Sequence, residues 1–504
     1  MIAEEHSETK CALFRHLPNL TKKLAWRSLG AASKTPVHMC RVPPIMATST
    51  SSTTTNTENK NNQHNKKNVV EFCVKREDLI SPMYGGNKVR TLQHQLAVCE
   101  SRRDGVDDKD QETATSAAAF RQLVSVGTGG SNQVVAMVVH AQRLGWDNGG
   151  GSEKLPAPPA SINVCWFDKD EPDLDNTLNM LSVLSFPNVG FQFDWGELSL
   201  GGLVRAIRAI SGAWKQTDFI PIMLGGNCPS GVLGQVGGVL ELAEQILAGE
   251  SPDPSRIYVP VGSGCTVSGL IVGVVLVRHL GMTKALSDPS FKIVGCNVHP
   301  QISFMDRALN FHVNPAFRFM PLTIVYTVTA ACRALKTLGG PDIESEAMEF
   351  IRTSVELRSD AAVVGKYGGH SEKTRAAAKL YDAQGVMTDY RTGQEMEKLW
   401  LCGHFASKAF QPLLNDLEVA QVGVDVDDQG EKDSKLYMLW MTKSAVQPRG
   451  NVNEWGKMLQ ANDVVKEWAN AGLAESTHRQ GRVSTVDGKP EDYRSIMTKI
   501  VKDE

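Results

Sequence analysis

The chain reads as an α/β protein of two open, mostly parallel twisted sheets flanked by helices. Three observations predict this. Short apolar runs rich in β-branched residues alternate with segments of helical periodicity, the pattern of parallel strands joined by crossover helices. Two strand-to-helix corners, 125–133 and 261–269, consist mostly of glycine, serine, threonine and other small residues. The 504 residues, 41% hydrophobic and 22% charged, exceed what one ordinary core needs.

In chain order, strands are expected at 69–74, 123–126, 162–167, 219–223, 257–261, 293–298 and 436–441, each an apolar run bounded by turn signals. Helical patterns fall at 132–144, 234–247 and 267–280. The last is apolar but too short to span a bilayer, and it carries Arg278. Residues 1–12 read as a tail. A smaller α/β domain at 91–223 is expected to interrupt a larger one made of 13–90 and 224–504. Residues 48–68, almost wholly polar, cannot bury enough apolar surface to offset ordering, so a disordered insertion is expected there. Further insertions are expected at 101–118, 147–160 and 425–434. Beyond Gly450, Trp455 and Trp468 have a spacing suited to packing from a helix.

Charge and cysteine content limit the function classes. A formal charge of −3 gives no support for nucleic-acid or anionic-membrane binding. Ten cysteines without a CxxC pair fit neither a zinc site nor a disulfide scaffold, which points to a reducing, cytoplasmic setting. His140, His299 and His370 lack ligand-spaced partners and read as structural or solvent-facing, so no metal is expected. Between Lys10 and Thr57 there are basic but no acidic residues, a balance like that of a mitochondrial transit peptide. Glu4, Glu5 and Glu8, with prolines at 18, 36, 43 and 44, argue against one.

The chemistry centres on residues 75–92, KREDLISPMYGGNKVRTL. Lys88 follows a Gly-Gly-Asn turn whose glycines let a flat or phosphorylated ligand come close. A buried amine is easily deprotonated and becomes a nucleophile toward an aldehyde cofactor. In the corner Val261-Gly262-Ser263-Gly264-Cys265-Thr266-Val267, small residues leave backbone N–H groups free for a phosphate at a helix start. It is neither a Walker A loop nor a GxGxxG fingerprint. In the other corner, Ser131, Asn132 and Gln133 open a helix; they read either as an N-cap or as a cradle for a carboxylate with a proton-relaying, catalytic hydroxyl at Ser131.

Taken together, KREDLISPMYGGNKVRTL, GTGGSNQ, GGNCPSGVLG (225–234), IYVPVGSGCTVSGL (257–270) and KYGGHSEKT (366–374) resemble the D-cysteine desulfhydrase and 1-aminocyclopropane-1-carboxylate deaminase family. These are pyridoxal-phosphate enzymes of the tryptophan-synthase-β fold type. Residues 13–39 resemble the family's opening segment, which implies that they belong to the fold. The resemblance spans about 13–445 and implies a homodimer acting on a small amino acid.

It further implies that Lys88 links to pyridoxal 5'-phosphate and later takes the substrate's α-proton. Asn132 would bond the phenolic oxygen, and Gly262, Ser263, Gly264, Cys265 and Thr266 the phosphate. Thr442 would meet the pyridine nitrogen. Ser131, Asn132 and Gln133 would hold the substrate, and Tyr367 would be an active-site tyrosine. One departure stands out: the family's Tyr-Thr-Gly-Lys-Ala is here Phe405-Ala406-Ser407-Lys408-Ala409, without the hydroxyl. An alternative alignment places a tyrosine at Tyr390. The expected reaction is α,β-elimination from D-cysteine or a related β-substituted amino acid, giving pyruvate, ammonia and sulfide. The alternatives are the cyclopropane deaminase, a cofactor-binding protein without turnover, and a nucleotide-binding module using 262–269.

Overall fold

A computed structural model describes residues 11–44, 69–103, 122–144, 146, 161–168, 172–186, 189–193, 219–222, 224–299, 321–422, 436–448, 463–474, 482–484 and 490–491. The expected insertions at 48–68, 147–160 and 425–434 lie outside these residues, as do Trp455 and most of 101–118. Residues 101–103 close a helix, Asn87–Arg103, rather than opening an insertion.

The largest sheet has seven strands: β1 (Val37–Val42), β2 (Val70–Lys75), β7 (Pro254–Val261), β8 (Lys292–Asn297), β9 (Val355–Arg358), β10 (Val386–Asp389) and β11 (Leu436–Trp440). Their order is β10-β1-β2-β11-β7-β8-β9. The run from β2 to β9 is parallel, whereas β1 is antiparallel to both its neighbours, with Val37 opposite Lys75 and His38 opposite Asp389. A second sheet, β5-β4-β3-β6, is parallel throughout: β3 (Gln122–Thr128), β4 (Ser161–Asp168), β5 (Val189–Phe193) and β6 (Phe219–Ile222). A third, small sheet of β12 (Val446–Pro448), β13 (Arg482–Ser484) and β14 (Pro490–Glu491) was not expected from the sequence.

The expected strands at 69–74, 123–126, 162–167, 257–261, 293–298 and 436–441 are all present within a few residues, and 219–223 appears as β6. The helix expected at 234–247 begins earlier, at Pro229, because proline is well placed in a first turn and Cys228 supplies extended backbone before it. This helix packs against Cys265–His279. A Cβ on Gly273 would lie 2.6 Å from the Val239 side chain, so the axes can approach only because that position is bare.

Three buried clusters form the core. One lies around these two helices and takes in Leu13, Phe14, Leu20 and Trp26 of the N-terminal segment. Residues expected to belong to the fold are thus packed in its interior. A second cluster surrounds helix Asn132–Arg143 and includes Trp468 of helix Asp463–Ala474. The third lies under helices Glu372–Gln384 and Ala406–Val422, with Phe72, Tyr381 and Phe410 in edge-on contact. Among the described residues, no helix is long and apolar enough to cross a membrane.

Candidate active site

A cavity of about 230 Å³ opens at the carboxyl ends of β3, β7, β8 and β11, the position ligands take in open α/β sheets. The structure brings together there Lys88, Ser131, Asn132, Gln133, the loop Gly262–Thr266, Tyr367 and Thr442. Phe405 also lines it, while Tyr390, in the turn after β10, is not among the lining residues. The departure from the family motif therefore faces the cavity.

The position of Lys88 is set by the turn before it. Gly86 has φ +90°, a left-handed conformation, and a Cβ there would lie 2.4 Å from the Thr442 carbonyl oxygen. Only glycine meets both conditions. The Gly86 N–H donates to Glu77 O at 2.8 Å and Asn87 N–H to Thr442 O at 3.3 Å, tying the turn to the end of β11. Lys88 then starts a helix and donates from Nζ to Gly225 O at 2.8 Å. Burial pushes its amine below the usual lysine range, with the Cys265 thiol pulling the other way. This favours the free amine that nucleophilic or base chemistry needs.

A buried ionic cluster holds the base of this helix. Arg90 donates to both Glu77 oxygens at 2.5 and 2.9 Å and to Glu241 at 2.9 Å. Lys75 donates to the same Glu241 at 2.5 Å, and Thr35 to Glu241 through its N–H at 2.7 Å. Two cations meet two carboxylates, so the cluster is charge-balanced.

Across the cavity, Ser131 is the N-cap of helix Asn132–Arg143, accepting from Val134 N–H at 3.4 Å. The capping role weighed from the sequence is thus present, in a residue that also lines the cavity. Asn132 Oδ1 accepts from Tyr84 Oη at 3.1 Å, Asn179 Nδ2 at 2.7 Å and Lys443 Nζ at 3.4 Å. With its carbonyl so occupied, its NH2 is the end left for a ligand. Gln133 is 2% exposed, and neither end of its amide has a partner among the described residues.

The glycine-rich loop follows β7. Gly264, at φ +86°, precedes helix Cys265–His279, whose first-turn N–H groups have no carbonyl four residues back within the helix. Asn87 Nδ2 donates to Thr266 Oγ1 at 2.6 Å and Asn227 Nδ2 to Ser263 O at 2.8 Å, fixing the loop's two sides. Cys265 is buried, with its thiol pushed up to about 11 by desolvation, so it is inert packing rather than a nucleophile.

One wall is aromatic. Tyr367 stands edge-on to His404, centroids 4.7 Å apart, and beside His299 at 4.8 Å. His404 stacks on Phe405 at 4.0 Å, planes within 7°. Burial holds His299 down to about 4, helped by the nearby Lys408 cation. His299, set aside in the sequence as structural or solvent-facing, therefore lines the cavity as a neutral ring. His140 is fully buried and bonds Tyr84 O at 3.0 Å. Thr442 completes the site; its buried Oγ1 has no partner among the described residues.

These residues fit pyridoxal phosphate. Among the described residues the Thr442 hydroxyl and the Gln133 amide have no hydrogen-bond partner, and both residues line this cavity. A helix N-terminus with a small-residue loop suits the phosphate, and an amine with a depressed pKa stands between them. Nothing in the sequence marks Asn87, His299, His404 or Lys443 as part of the site or its surroundings. The histidines have no spacing signal, and Lys443 follows Thr442 in a run that reads only as the end of a strand.

No family model matches the chain. The nocardicin C-9' epimerase of Nocardia uniformis subsp. tsuyamanensis is 28% identical over 207 residues, 40% of this chain and 52% of the epimerase. The chain thus aligns with about half the length of that curated relative. Among solved structures, an ACC deaminase homologue superposes with a TM-score of 0.50 at 17% identity, covering 86% of this chain and 94% of that one. A pyridoxal 5'-phosphate-dependent aspartate racemase superposes with a TM-score of 0.41 at 13% identity, over 86% and 94%. The overlay on the ACC deaminase homologue shows the class of fold: a mixed α/β architecture with a mostly parallel sheet flanked by helices, as in the fold type II enzymes.

Proposed function

We propose that the protein is a pyridoxal-phosphate-dependent lyase that removes a β-substituent, such as the thiol of D-cysteine, from a small amino acid, giving pyruvate, ammonia and sulfide. One observation carries the reading: Lys88, an amine held below its ordinary pKa, shares a cavity with the unpaired Thr442 hydroxyl and the unpaired Gln133 amide.

When bound, the cofactor supplies an electron sink for the pair left at Cα. The chain's own residues do the rest. The backbone of Gly262–Thr266 binds the phosphate, and Thr442 Oγ1 meets the ring nitrogen as a neutral hydroxyl. Asn132 offers its NH2 to the phenolic oxygen. Ser131 and Gln133 orient the amino acid by its carboxylate. Lys88, as a free amine, would take the Cα proton. The aromatic wall of Tyr367, His404 and Phe405 keeps bulk water from the reacting face. Without a hydroxyl, Phe405 cannot act as the nucleophile that cyclopropane opening would use, which favours elimination over that deaminase reaction.

The sequence likeness to the nocardicin epimerase favours a second reading, epimerisation at Cα by the same base. One assay separates the two. Elimination releases pyruvate and ammonia from β-substituted D- or L-amino acids, whereas epimerisation exchanges the Cα hydrogen and keeps every other atom. Lys88→Ala should abolish both the yellow colour of the reconstituted protein and turnover. A wild-type protein that stays colourless with pyridoxal phosphate would overturn the proposal.

A further inference from the structure

Lys443 is 1% exposed and, among the described residues, makes no ion pair of the kind that joins Lys75 to Glu241. Its Nζ lies 3.4 Å from Asn132 Oδ1, 2.9 Å from Asn179 Oδ1 and 3.3 Å from Gln447 Oε1. It also stands 4.6 Å from the centroid of the Trp400 ring. An ammonium carries three N–H donors and a neutral amine only two, so three amide oxygens and an aromatic face match the cation. The amides are themselves held from behind: Asn179 Nδ2 bonds Gly130 O at 2.7 Å, and Gln447 Nε2 bonds Ser182 Oγ at 2.7 Å. The cage is therefore built rather than incidental, and of its three amides Asn132 also lines the cavity.

We propose that Lys443 is a positioning residue: its tethered ammonium orients the Asn132 amide so that the NH2 faces the cavity, and sets a fixed positive charge directly behind it. The inference rests on the reading that the cavity takes pyridoxal phosphate. Such a charge favours an anionic phenolic oxygen on the far side of Asn132 and disfavours an added proton on the nitrogen joining Lys88 to the cofactor. Thr442, a neutral hydroxyl, supplies no charge at the ring nitrogen, so this cation would be the chain's means of tuning the cofactor from its opposite edge.

Burial pushes the Lys443 amine below its ordinary value, while Cys402, Asp175 and Asp173 pull it back. Asp175 is also engaged by the Gly403 N–H at 3.2 Å. Two further titratable groups lie on this side: His404, whose proton affinity falls through burial and the Lys408 and Lys443 cations, and Tyr84, whose phenol burial pushes up and which shares Asn132 Oδ1.

The test titrates the visible absorbance of the full-length protein, reconstituted with pyridoxal 5'-phosphate, against pH, alongside cofactor affinity. Lys443→Met should raise the pH midpoint of the colour band by about one unit and weaken cofactor binding about tenfold. Gln447→Glu places a carboxylate against Lys443 without touching Asn132. It should raise the midpoint in the same direction, and it carries the test if Lys443→Met does not fold. Unchanged midpoints in variants that take up the cofactor normally would overturn the role of Lys443 alone. A wild-type protein that binds no cofactor would overturn the underlying reading as well.

Discussion

Replacing Glu241 by glutamine tests how the site is held in place. The carboxylate is 2% exposed and accepts from Lys75, Arg90 and the Thr35 N–H at 2.5, 2.9 and 2.7 Å. Burial alone would raise its pKa, but Arg90 and Lys75 hold it down to about 2. Relative to the ordinary 4.5, that depression corresponds to about 3 kcal/mol of stabilisation. Lys75 points the other way: burial keeps its amine below the usual lysine range despite Glu241. The net worth of the cluster is therefore smaller than the carboxylate alone suggests. Losing the carboxylate still leaves two buried cations against one anion, and breaking such a group costs about 3–5 kcal/mol.

Glu241→Gln should lower guanidinium-unfolding stability by about 3 kcal/mol at neutral pH. Because the folded pKa lies below the unfolded one, this contribution is complete above about 4.5 and disappears as the pH falls through about 2. The wild type should thus lose stability across that acid range, and the variant should lack that component. Adding Lys75→Met restores the balance of one cation to one anion and should recover much of the loss. A single variant within about 1 kcal/mol of wild type, or a double variant as unstable as the two single losses summed, would refute the reasoning.

The unpaired groups give two sharper tests. Thr442→Val removes a hydroxyl that bonds nothing, so stability should change by less than about 0.5 kcal/mol while pyridoxal phosphate affinity falls about tenfold; equal affinities by equilibrium dialysis would remove Thr442 from the site. Gln133→Leu should likewise leave the unfolding midpoint unchanged yet raise the concentration of amino acid needed to perturb the bound cofactor's spectrum about tenfold. An unaltered titration would show that Gln133 does not meet the substrate.

Much of the scaffold was legible because buried parallel strands are written as continuous apolar runs. The strands from β2 to β11 that carry the cavity all announce themselves this way. β1 was missed because His38 and Arg41 interrupt its apolar residues; it pairs antiparallel on both sides. β5 (VGFQF), β9 (VELR) and β10 (VMTD) are broken by glycine or polar residues and show no continuous apolar run, unlike the equally short β6 and β11. At the site, residues on glycine-rich corners could be read locally. His299, His404 and Lys443 acquire meaning only through neighbours hundreds of residues away, such as Asn176, which bonds His404 at 2.8 Å.

The central place of β11 has a consequence for how the protein is made. This strand lies between β2 and β7, yet it is translated after every other strand of its sheet. Until it leaves the ribosome, the nascent sheet is two fragments with unsealed inner edges, each a template for wrong pairing. Thr442 emerges just behind it, so under the proposed function cofactor capture should follow the sealing of the sheet, and chaperones should guard the growing chain until then.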